Sequence, residues 1–192
     1  MGRILIGILL GCILFPAALR LYFQYGSPPL AVGDKPFFHE EDLTQAPLRY
    51  RVPREAPKFS PIPVSEENLV AGARVYREQC AVCHGLHGKP ASIGSRMYPV
   101  APPLWEVRSF GDIVGVSSDP VGQTYWKVAN GLRLSGMPAY QGVLTDTEIW
   151  QVSLLLANAN KPLPPAALSL LHEQAAQPAP QAAAKAGVAP KG

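Results

Sequence analysis

Cys80-Ala81-Val82-Cys83-His84 constrains this chain more than any other stretch. Two thiols on one turn of backbone can each add to a vinyl group on the same edge of a porphyrin. The adjoining imidazole can then give a nitrogen to the iron, so the spacing reads as haem attachment. Two other chemistries use the same residues. Cys80, Cys83, His84 and His87 supply four ligands for a tetrahedral zinc site, although adjacent residues would then have to ligate one small ion. Cys80 and Cys83 could also form a redox dithiol, which wants a βαβ context that the sequence does not offer. A haem iron held by one histidine takes a second axial ligand, and Met/His ligation raises its potential. Beyond the starting Met1, the methionines are Met97 and Met137. Met137 lies in Gly131-Leu-Arg-Leu-Ser-Gly-Met-Pro-Ala-Tyr140, a Gly/Pro-bounded loop that can wrap to the far side of a ring. Methionine more often fills gaps in cores, but this loop is not an apolar helix face.

Helix signals frame the motif on both sides. Ser65-Glu66-Glu67 supplies a cap and first-turn acids. Leu69, Gly72, Ala73, Tyr76 and Cys80 then recur at helical spacing, leading into the cysteines. Residues 91–104 hold Pro99, Pro102 and Pro103 and are expected to be extended. Asp119-Pro120 opens a helix carrying Tyr125, Trp126 and Val128, which ends at Asn130-Gly131. Thr145-Asp146-Thr147-Glu148 is a capping box. It precedes Ile149, Trp150, Val152, Ser153 and Leu156 on one face of a helix that stops before Pro162.

These residues resemble the small class I cytochromes c. The resemblance rests on CxxCH, on Asn130-Gly131 followed by Gly136-Met137-Pro138, and on the helix carrying Trp150, and it covers roughly residues 65–160. It implies an all-α domain of a few helices wrapped round a single haem c. That haem would be bound covalently through Cys80 and Cys83, with His84 and Met137 on the iron. Met97 follows His84 too closely, where the family has its proximal loop. Pro102-Pro103-Leu104 resembles the family's Pro-x-Leu element, so the Pro102 carbonyl is expected to orient His84 and Leu104 to pack on the ring. Arg96, Tyr98, Trp105 and Arg133 are candidate partners for the haem propionates. The family's crossing of first and last helices suggests a contact of Gly72 with Trp150. An apolar surround of Leu104, Trp105, Tyr125, Trp126 and Leu134 is expected to favour the ferrous centre.

Composition bears on what lies outside this domain. Residues 1–25 are apolar between Arg3 and Arg20, with Tyr22 and Tyr25 as interfacial anchors. The stretch reads as an uncleaved membrane anchor in preference to a signal peptide, since it lacks a clean Ala-x-Ala site. Leu9-Leu10-Gly11-Cys12 resembles a lipoprotein box, but the residues after Cys12 stay apolar. Of the chain's 21 prolines, eight punctuate residues 26–63, which read as an extended, charge-balanced spacer. Phe37-Phe38-His39 in this spacer reads as an apolar spot before a docking motif. Residues 64–160 are the cytochrome c domain. Residues 161–192 form an Ala/Pro-rich tail in which Ala166 to Ala176 could form a weak helix, but it has little to bury and is expected to be disordered. His39, His87 and His172 show no partner pattern. The net charge of +3 falls on the two ends, so no basic field for nucleic acid exists.

The resemblance thus implies a one-electron carrier, not an enzyme, tethered to the inner membrane with its haem domain on the periplasmic side. Its partners would be redox proteins: a quinol-oxidising complex, a terminal oxidase or another dehydrogenase. The alternatives are a fixed haem subunit of a larger respiratory complex, a gas-binding or peroxidatic haem protein if Met137 does not ligate, and a subunit whose long ends hold an assembly together.

Overall fold

The structure, a computed structural model, describes residues 1–108 and 111–172. They are helical, with no β-strand among the described residues, and they divide into two units, Met1–Ala46 and Pro47 onward.

In the first unit, α1 (Gly2–Tyr25) runs through Pro16 with none of its residues buried. At 1.5 Å per residue its 24 residues reach about 36 Å, enough for a hydrocarbon core of about 30 Å. Its length and apolar character suit a membrane crossing, and its N-terminal position equally suits a signal sequence. After α1, the Asp34 carboxylate accepts from the amides of Leu30 and Ala31, each at 2.8 Å. Those two bonds hold its carboxyl below the usual range. Phe37 packs edge-on against Tyr22 and Phe23, while Phe38 stays exposed. His39 pairs with Asp42 at 3.0 Å. The Glu40 carboxylate accepts from the Phe37 amide at 2.8 Å, tying the entry to the next helix.

That helix, α2 (Glu40–Glu55), corrects the expectation of an extended spacer. It contains Pro47 and Pro53, with three acids in its first turn and Arg54 in its last. Its charges complement the macrodipole at both ends. In the second unit its C-terminal end has a packing face. Val52 and Ala56 are buried, Arg51 lies 5.6 Å from the centre of the Trp126 ring, and Arg51 pairs with Glu55 at 2.7 Å.

The second unit is built on two crossing helices, α3 (Glu66–Val75) and α6 (Asp146–Ala157). Ser65 caps α3 by accepting from the Asn68 amide at 3.2 Å, and the Thr145–Glu148 capping box opens α6 with both reciprocal bonds present. Ala73 and Tyr76 face Ile149, Val152 and Leu155, all fully buried. Each large aliphatic side chain buried there contributes roughly 1.5–3 kcal/mol. Gly72 sets the closeness of the crossing, because a Cβ there would collide with the Gln151 carbonyl of α6. The nearest atoms to Gly72 are thus α6 backbone at Gln151 and Val152, while the Trp150 ring stacks on Tyr125 at 4.1 Å.

α5 (Val121–Asn130) follows Pro120, which occupies the cap and not the first helical position. It is tied by Lys127 to Asp119 at 2.8 Å and closed by the Gly131 amide on Lys127 O. The last described element, α7 (Pro165–His172), revises the tail. Leu163, Ala167 and Leu171 are buried in the core cluster with α3 residues. The expectation of disorder over residues 173–192 lies outside the described residues. His87 and His172 are also not isolated, since their rings meet at 4.7 Å.

Candidate haem site

Between α3 and the cysteines the helix widens into a π-turn, Tyr76–Cys80, with the Ala81 amide donating to Tyr76 O. α4 (Ala81–His84) then starts afresh and ends at Gly85. Such single-turn widenings shift the register of the residues beyond them, and here they end on Cys80. Tyr76 locks the turn: fully buried, it donates to Gly85 O at 2.7 Å. Burial above all pushes the Tyr76 hydroxyl up from its ordinary value. The Trp105 N–H opposes that rise, although it falls short of a hydrogen bond.

The residues after His84 fold back over it. Gly94 sits on the Cys83 carbonyl, where a side chain would collide. The Ala101 amide donates to Gly94 O at 3.1 Å, and the Leu104 amide to His84 O at 3.5 Å. Between them, His84 Nδ1 lies 2.8 Å from Pro102 O. A carbonyl only accepts, so Nδ1 carries the hydrogen and Nε2 keeps its lone pair for a metal.

The Met137 loop is held by its own short bonds and one distant one. The Leu132 amide donates to Met137 O at 3.1 Å, and the Met137 amide donates to Ser135 Oγ at 3.1 Å. At its far end Tyr140 Oη donates to Gln79 O at 2.8 Å, beside Cys80. Met97 is also here: a Cβ on Gly136 would collide with Met97 Cε and lie 3.6 Å from its Sδ. The reading that confined Met97 to the proximal side is thereby revised. Its thioether touches the residue preceding Met137.

Other expected site residues divide. Leu104 is buried. Arg96, Tyr98 and Arg133 lie exposed on the two loops. Trp105 is buried edge-on against Tyr76, 5.4 Å between ring centres, with its N–H closed off from solvent. Trp126 lies under Arg51, and Leu134 is 78% exposed, so the expected apolar surround is only partly assembled.

These groups test the three chemistries. Among the described residues no cluster of three or more His, Cys, Asp or Glu is arranged to hold a metal ion, and His87 is directed to Trp105 and His172. The zinc reading therefore fails. The Cys80 thiol is pushed up to about 12, first by burial and then by Cys83. A redox dithiol wants the opposite, a depressed and accessible thiol. Haem fits: one imidazole with Nε2 unengaged, two cysteines on adjoining turns, and exposed apolar Ile93, Val100 and Leu134 on the flanking loops.

Comparison with known proteins agrees. Residues 67–154 match the family described as "Cytochrome C oxidase, cbb3-type, subunit III". A thiosulfate dehydrogenase of Stutzerimonas stutzeri (strain A1501) is 30% identical over 122 residues, 64% of this chain and 37% of that protein. The chain thus spans little more than a third of that relative's length. No solved structure matches. Taken with the site's geometry, these matches establish that the chain carries a c-type cytochrome domain over residues 67–154, and with it haem-based electron transfer.

Proposed function

We propose that the chain is a membrane-tethered one-electron carrier holding one haem c, attached through Cys80 and Cys83 and ligated by His84 and Met137. The observation that carries this reading is the His84 Nδ1–Pro102 O hydrogen bond, which leaves Nε2 for iron directly beside the two cysteines. When bound, the haem supplies reversible one-electron chemistry. The chain's part is to hold and shield it. Pro102 fixes the His84 tautomer, and His84 and Met137 are the residues that would hold the iron, with Leu104 packing beside them. Ligated by both, the iron would offer no open position to a substrate, which favours a carrier over a catalyst. Arg96, Tyr98 and Arg133, exposed on the flanking loops, are our candidates for the propionates.

The partners we assign are redox proteins of the membrane: a quinol-oxidising complex, a terminal oxidase or another dehydrogenase. The domain faces the periplasmic side of the inner membrane, with α1 as the anchor. The oxidase-subunit family that residues 67–154 match favours a second reading, a fixed haem subunit of a larger complex. Native electrophoresis of gently solubilised membranes separates the two: a carrier migrates alone and a subunit does not.

The decisive experiment is the absorption spectrum of purified full-length protein in both oxidation states, beside Met137→Ala. Haem that stays on the denatured chain demonstrates the thioethers. A weak ferric charge-transfer band, lost in Met137→Ala, demonstrates methionine ligation. A high-spin spectrum, or a band indifferent to the substitution, removes Met137 from the iron and opens the gas-binding or peroxidatic alternative.

A further inference from the structure

We infer that Met97 is a positioning residue for the Met137 loop, holding it closed from the side of the haem-attachment motif. The inference rests on the proposed ligation by Met137. A continuous path joins the two regions. Gly94 lies on the Cys83 carbonyl, and the Met97 amide donates to Gly94 O at 3.4 Å. The half-buried Met97 side chain then reaches Gly136 with its Cε, with Sδ close behind.

The loop needs such a brace. The backbone bonds of the loop run to itself and to the end of α5: Gly131 to Lys127 O, Leu132 to Met137 O and Ser135 to Leu132 O. Leu134 adopts φ +61°, a region disfavoured for a side chain with a Cβ. Leu134 also points its side chain to solvent. Besides the packing of Met137 itself against the core cluster, two contacts brace the segment from the haem-attachment side. One is the Tyr140 hydroxyl on Gln79 O, three residues past Met137. The other is Met97 on Gly136, immediately before it. Gly136 admits the Met97 tip because it has no Cβ. A flexible thioether fills such an irregular gap well. An open loop would leave the second axial position free, so the contact biases an equilibrium between closed and open loop states.

The test compares Met97→Ala, Met97→Leu and Met137→Ala in the haem-loaded full-length protein. Carbon monoxide titration of the ferrous form and the ferric charge-transfer band are the readouts, with far-ultraviolet circular dichroism as the check on folding. Met97→Ala is expected to weaken the band and to raise the open fraction, and apparent carbon monoxide affinity with it, about tenfold. Met97→Leu, close in volume, is expected to restore both while the dichroism of all three stays unchanged. A Met97→Ala protein with wild-type band and carbon monoxide affinity overturns the inference. So does a Met97→Leu protein as impaired as Met97→Ala, because the role would then belong to the sulfur. If the band survives Met137→Ala, the ligand assignment itself fails, independently of anything seen at Met97.

Discussion

Tyr140 and Tyr76 show how single hydroxyls set the site. Tyr140 Oη spans 61 residues of sequence to reach Gln79 O at 2.8 Å. Burial pushes its own titration upward, so it remains a donor. Tyr140→Phe is expected to cost about 1 kcal/mol and to lower the temperature at which the ferric charge-transfer band disappears, read by a thermal spectral scan. Tyr76→Phe is the harsher change, because it strands the buried Gly85 carbonyl. It is expected to cost roughly 1–3 kcal/mol in denaturant titration. At this scale the sequence was uneven. Pro102 was legible because a local Pro-Pro-Leu pattern carries it. The Met97–Gly136 contact was not, because nothing in either loop's composition announces a partner some forty residues away. Trp105 was read as a donor suited to a partly buried propionate; it packs edge-on against Tyr76 with its indole N–H buried and unpartnered among the described residues.

Elements were legible wherever their ends carry chemistry. Ser65, Gly131 and the Thr145–Glu148 box each satisfy backbone groups that a helix terminus leaves open, and each stands where the sequence placed it. α2 was missed because Pro47 and Pro53 read as breakers, whereas its acids at one end and Val52 and Ala56 at the other outweigh two absent amide bonds. α7 was read only as a possible weak helix from Ala166, with little to bury, because its Ala/Pro-rich composition hid its apolar face. Leu163 just before the helix, and Ala167 and Leu171 one turn apart within it, are all buried. Leu171→Ala is accordingly expected to cost about 2–5 kcal/mol, which a denaturant midpoint will show; a surface tail residue would cost nothing. The capping box gives a pH dependence. The Thr145 amide, then the Thr145 hydroxyl, hold the Glu148 carboxyl below its ordinary value of 4.5. Its folded value is thus depressed, so its stabilisation is complete above about pH 4.5 and is lost as pH falls through the folded value. The melting-temperature difference between the native protein and Glu148→Gln is expected to be present at neutral pH and to close in acid.

For the whole molecule the question is what the two units accomplish together as one chain. Residues 26–39 separate α1 from α2, and even fully extended they reach at most about 50 Å. Under the proposed anchoring by α1, a haem domain on so short a connection would meet membrane partners at an effective concentration on the millimolar scale, without any new contact. Removing residues 1–25 and exporting the remainder behind a foreign cleavable signal tests this. The released protein is expected to keep its spectrum, because nothing in α1 is buried and the core lies from Val52 onward. Its reduction by isolated membranes is expected to slow at micromolar concentration and to recover as the added protein approaches about 1 mM. The mass of the native membrane-bound protein fixes the meaning of that result. A chain that retains Gly2–Tyr25 carries its own anchor, and the slowing measures the tether. A chain that has lost it was exported behind a leader; the released form is then the native one, its rate of reduction is unchanged, and the protein works as a diffusible carrier.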